Sequence, residues 1–178
     1  MSLPSHILSP ISSQYGGSVY DIYINDLNIF LNHLDSEVKK RIVIRLQPQS
    51  YKNIYGRSKI IKDLKQNNHV EIIEPNYNFK KDLINYSFCV TTVDSTNFLE
   101  TLVSNIPFIC YWNKNFTIHH SKSKNIYNRF YKSKLFCDSP IKASNELNKI
   151  FFNKEKFWRS KSIINTTKYL RKNLCNIE

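Results

Sequence analysis

Residues 91–97 read TTVDSTN and hold four hydroxyl side chains (Thr91, Thr92, Ser95, Thr96) beside one carboxylate, Asp94. A helix N-cap needs a single side-chain oxygen, so capping by Asp94 or Ser95 accounts for one of them, at about 1 kcal/mol. The surplus suits a phosphate or a diphosphate. An apolar run precedes the cluster and a helical pattern follows it, so these oxygens fall where a helix exposes unpaired N–H groups and a partial positive charge. Glu100 lies within the first two turns of that helix and complements its dipole.

Other candidate chemistry is sparse. Three glycines, at 16, 17 and 56, leave no place for a dinucleotide-binding or P-loop glycine motif. Hydroxyls and a helix N-terminus must therefore do any cradling of phosphate. His119 and His120 are the only adjacent imidazoles, and one of them can serve as a general base, the alternative being a pair on a loop surface. No Asp-x-Asp pair with metal spacing is present, so we expect no metal and no cofactor. Cys89, Cys110, Cys137 and Cys175 form no CxxC pair and read as reduced packing residues.

These residues need a frame to position them, and the chain supplies an alternating one. RIVIRLQP (41–48), HVEIIEP (69–75), SFCVTTV (87–93) and PFICYW (107–112) read as strands. Between them RSKIIKDLKQNN (57–68), NFKKDLINY (78–86) and STNFLETLVSN (95–105) carry helical spacing. Strands alternating with helices of about ten residues predict right-handed βαβ units around a parallel sheet. INDLNIFLNHL (24–34) precedes them as an amphipathic helix. Residues 124–136, 139–152 and 154–174 follow as three helices, the second with Ser139 at the N-cap and Pro140 at N1. The expectation is a Rossmann-like parallel sheet with helices on both faces and a helical C-terminal segment. Residues 1–178 read as one domain. MSLPSHILSP enters where a first strand should already have ended. The order of the strands is left open; adjacency of 41–46 with 87–93 at a switch point would bring Arg45 near Ser95.

At 178 residues and 41% hydrophobic, the chain can bury a proper core. Its charge is uneven: residues 1–113 carry 11 Lys/Arg against 10 Asp/Glu, and residues 114–178 carry 15 against 4. That asymmetry favours contact with an anionic glycan or membrane surface, the alternative being a merely solvated surface in a chain rich in Asn, Ile and Lys. No recognition motif accompanies the charge, so nucleic acid is not expected. No apolar run approaches the roughly 20 residues needed to span a bilayer. The expected location is the cytoplasm, peripheral at the inner face of the membrane.

STNFLETLVSNIPFICYWN (95–113) resembles the helix and strand of the donor-binding, C-terminal domain of GT-B transferases. More narrowly, it is similar to a family of transferases encoded with bacterial surface-polysaccharide genes. SLPSHILSPISSQ (2–14), YINDLNIFLNHL (23–34), RIVIRLQPQSYKNIYG (41–56) and FWRSKSIINTTKYL (157–170) share that resemblance, which covers nearly the whole chain. A related pattern occurs in enzymes that transfer polyol phosphates from CDP-alcohols. The resemblance assigns Ser95 and Thr96 to donor phosphates and Glu100 to ribose hydroxyls; Thr92, from the surplus of hydroxyls, is a further phosphate candidate. It matches Arg45 to a basic position, where a guanidinium at a strand's carboxyl end can bind phosphate; the alternative is pairing with a carboxylate such as Glu74. The QSYKNIYG loop departs from the family's pattern, which weakens any role for Tyr55 and Gly56. Asn105 and Pro107 read as a helix stop and a strand start.

Three functions follow as expectations. The first is a transferase half that binds a nucleotide-diphosphate-activated sugar for surface-polysaccharide or envelope-glycan synthesis. The second is a CDP-polyol phosphotransferase. The third is a non-catalytic nucleotide-binding fragment of a longer transferase. In two-domain transferases the acceptor and base sit on an N-terminal domain, which is expected here as a separate partner.

Overall fold

The computed structural model describes residues 6–9, 17–45, 64, 70–73, 78–92, 96–112 and 124–176. Six strands form one sheet: β1 His6–Ser9, β2 Ile42–Arg45, β3 Glu71–Ile73, β4 Phe88–Thr91, β5 Phe108–Tyr111 and β6 Phe136–Cys137. Their order is β3-β2-β1-β4-β5-β6, and every neighbouring pair is parallel. This is the doubly wound Rossmann order. Parallel strands covered on both faces are apolar throughout rather than alternating, and IVI, FCV and FIC are buried at every position.

Successive side chains divide the core between two layers. Phe88, Val90, Ile109 and Tyr111 point to one face, against Leu27, Phe30 and Leu31 of α1 (Gly17–Asn32) and Ala143 and Leu147 of α6 (Pro140–Ile150). Cys89, Phe108 and Cys110 point to the other. There they meet α3 (Phe79–Leu83), α4 (Thr96–Val103), α5 (Lys124–Lys132) and α8 (Lys161–Leu174). Two short helices, α2 (Ser36–Lys39) and α7 (Lys154–Trp158), are also described, the second entered through a 3-10 turn at Phe151–Asn153. No helix among the described residues is long and apolar enough to cross a membrane.

The four strands expected within 41–112 are present, as are the helices expected over 78–86 and 95–105. Ser139 caps α6 by accepting from the Lys142 backbone N–H at 3.3 Å, with Pro140 at its first position. Asn105 stops the chain after α4 with φ of 56°, a left-handed conformation that Asn tolerates. Of the expected helix 57–68 only Leu64 is described, and it is buried in the first layer. The QSYKNIYG loop lies outside the described residues.

Three expectations are corrected. Residues 6–9 form the central strand β1, where no strand was expected. HILS is short and lies between Pro4 and Pro10, a context that suits strand ends and hides a strand of four residues. β1 therefore separates β2 from β4 and settles the strand order that the sequence left open. Residues 136–137 form edge strand β6 instead of ending a helix, because Lys134 takes φ of 64° and turns the chain after Lys132. The expected single helix 154–174 is two, since Ser160 is extended at φ −66°, ψ 143° and starts α8 afresh.

Candidate functional site at the strand switch point

The sheet order reverses between β1 and β4, and ligands of open α/β sheets collect outside the carboxyl ends of the strands at such a point. Ser9 pairs with Thr91 at that end. The chain leaves β4 through buried Thr92 and enters α4 at Thr96, which is exposed. The N-terminus of α4 is thus held beside the switch point. Phe98, in the first turn, fixes it there: its ring lies 5.1 Å from Phe130 and 5.8 Å from Phe108, centroid to centroid. Thr101 ties the helix further by donating to the Asn97 carbonyl at 2.7 Å.

The hydroxyls at this junction are not equivalent. Thr91 is fully buried and donates to Cys110 Sγ at 2.7 Å, so it serves the sheet rather than a ligand. Thr92 is buried at the strand end and Thr96 opens the helix. Glu100 is exposed one turn beyond Thr96, on the same side of α4. Asp94, Ser95, His119 and His120 lie outside the described residues.

Arg45 ends β2 level with this junction, about 10 Å from Thr91 across two strand spacings. Its guanidinium is buried, and Nε donates to Asp82 Oδ2 at 2.7 Å. The same group lies 4.9 Å from the centroid of the Phe79 ring. The carboxylate alternative therefore holds, with Asp82 in the pair; Glu74 is outside the described residues. Asp82 was missed because its partner is 37 residues distant in sequence. One signal was available: Phe79, Asp82 and Leu83 share the buried face of α3 at helical spacing. A carboxylate on a buried helical stripe calls for a cation opposite.

Two further features bear on the chemistry. Trp112, just beyond β5, is 6% exposed, and its indole N–H has no hydrogen-bond partner among the described residues. It lies against Phe98, at 6.4 Å between centroids, next to the start of α4. The four cysteines form no disulfide, and burial pushes the Cys89 and Cys137 thiols up to about 12, far from thiolate reactivity at neutral pH. Among the described residues no group of three or more His, Cys, Asp or Glu could hold a metal ion.

Comparison with known proteins adds the reaction class. The model of a family described as LIC12162 family transferase matches residues 5–177. No curated protein matches the chain.

Proposed function

The chain belongs to the LIC12162 family of transferases, and on that premise we propose that it binds a nucleotide-diphosphate-activated sugar for bacterial surface-polysaccharide or envelope-glycan synthesis. The observation that carries this reading is the placement of α4, whose N-terminus opens at the carboxyl end of β4 beside the β1–β4 switch point. Backbone N–H groups, Thr96, Ser95 and Thr92 would hold the diphosphate, and Glu100 one turn on would accept from the ribose. With Asp82 already on Arg45, phosphate contact falls to the helix and hydroxyls; Arg45 holds α3 against the sheet from below. The resemblance to the donor half of GT-B transferases supports the same assignment.

In the transfer, an acceptor hydroxyl attacks the anomeric carbon and loses its proton to a base. The bond from that carbon to the diphosphate breaks, and the nucleotide diphosphate departs with the electron pair. The contribution of α4 is to stabilise the charge developing on that leaving group. His119 or His120, or a base on a companion acceptor domain, takes the proton. We place this activity in the cytoplasm, where activated sugars are made.

Calorimetry with UDP, GDP, CDP, CMP and CDP-glycerol tests the reading. A nucleoside diphosphate should bind, and Ser95→Ala with Thr96→Ala should weaken it roughly tenfold or more, about 1.4 kcal/mol per decade. The melting temperature should fall only by the worth of a cap. Preference for CDP-glycerol over the diphosphates would instead select the polyol phosphotransferase. An unchanged affinity in the double variant would remove the junction from the site.

A further inference from the structure

A cleft of about 630 Å³ opens at the opposite, amino end of the strands, between the close of α4, the start of β5, α7 and α8. Ligand sites commonly occupy about 300–1,000 Å³, so the space admits one or two sugar rings. Its wall combines an apolar surface from Trp158, Ile164 and Pro107 with the cations Arg159, Lys168 and Arg171, against one carboxylate among the described residues, that of Glu155. Glu155 reaches Arg159 at 3.4 Å through two exposed side chains, a pair that water screens.

Arg171 is the built part of this wall. It is half-buried, its Nε donates to the Leu102 carbonyl at 2.9 Å, and its Nη2 donates to Asn105 Oδ1 at 2.6 Å. Both partners are neutral, so the guanidinium is held rigidly without a carboxylate among the described residues. The same Asn105 oxygen accepts from the Trp158 indole N–H at 3.3 Å, and Trp158 packs edge-on against Phe108 at 5.5 Å. One amide thus fixes an aromatic ring and an uncompensated cation side by side. Asn105 can do so because its left-handed turn, φ 56°, aims the side chain back across the end of α4.

A planar fork fixed in place binds carboxylate or phosphate in a defined direction, and an adjacent indole offers its flat surface to a ring. From these residues we infer that the cleft is a second binding site, for a sugar ring that carries a carboxylate or phosphate group. Lys168, exposed on α8 next to buried Thr167, supplies a second charge to the same anion or to the next one along a chain. The inference is independent of the donor reading, since the two sites lie at opposite ends of the sheet.

The test is a titration of the full chain with trigalacturonate, a neutral trisaccharide of equal length, and inorganic phosphate, followed by calorimetry and tryptophan fluorescence. Trigalacturonate should bind and change the emission of Trp158, and added salt should weaken it. The neutral trisaccharide and phosphate alone should each bind at least about tenfold more weakly, because each lacks either the charge or the ring. Arg171→Gln should cost roughly tenfold in affinity and Arg171→Lys somewhat less, since only the guanidinium is forked. Arg171→Gln disturbs packing as well, so Lys168→Gln at an exposed position is the safer variant. It should weaken trigalacturonate by a few fold with nucleotide affinity and melting temperature unchanged. Equal binding of the neutral sugar, equal binding of phosphate alone, or an unaltered affinity in Lys168→Gln would each overturn the proposal.

Discussion

The two ends of this sheet handle positive charge in opposite ways. At the carboxyl end Arg45 is buried and given a carboxylate, Asp82, at 2.7 Å, so in the proposed donor site attraction for an anion is assigned to the N-terminus of α4 and to hydroxyls. At the amino end Arg171 is held by a carbonyl and an amide, with no carboxylate on it among the described residues. The contrast teaches that a high net charge does not locate a site. What matters is which cations have been spent on internal carboxylates and which have been fixed in place by neutral groups.

The largest expected effect comes from breaking the spent cation. Asp82→Ala leaves the Arg45 guanidinium in the core without its carboxylate, which should cost about 3–5 kcal/mol in a denaturant titration. Replacing both, Arg45→Met with Asp82→Leu, should recover most of that loss, because a buried pair and a packed apolar pair are of similar worth. If the double variant is no better than the single one, Arg45 has a role beyond its pairing. Asn105→Gly sharpens the other end and should have an intermediate effect. Glycine accepts φ of 56°, so the change isolates the lost amide oxygen. It should cost about 1–2 kcal/mol and free Arg171 and Trp158, visible as altered tryptophan emission.

The smallest effect is expected at the surface. Lys142 reaches Asp138 at 2.8 Å, and the hydrogen bonds from Lys142 and then Tyr131 hold the Asp138 carboxyl below its ordinary 3.8. A carboxyl with a depressed folded value contributes stability above its unfolded value and loses it as pH falls through the folded one. Lys142→Ala should therefore lower stability slightly at neutral pH, and the difference should vanish on the acid side of 3.8. Denaturation curves at neutral and acidic pH check the sign. A loss at neutral pH as large as that of Asp82→Ala would contradict the view that exposed pairs here matter little.

Local features were legible in the sequence wherever a few neighbouring residues decide the structure. Ser139 and Pro140 marked the start of α6, Asn105 and Pro107 marked the passage from α4 to β5, and the apolar runs at 42–45, 88–91 and 108–111 marked strands buried on both faces. The TTVDSTN cluster was correctly set at a strand-to-helix junction, although its hydroxyls could not be told apart. Thr91 is taken up by a cysteine on the next strand, 19 residues away.

The tertiary structure alone decided which of these pieces meet. That four residues between two prolines form the centre of the sheet depends on strands 36 and 82 residues later in the chain, each supplying one of its edges. The Arg45–Asp82 pair and the Asn105–Arg171 bond span 37 and 66 residues. Sequence alone determined most of the elements, though not β1, β6 or the break between α7 and α8, because φ/ψ preference, capping and apolar period act over one or two turns. Which cation is neutralised and which is left available is a property of distant side chains brought together by burial, and no local pattern carries it.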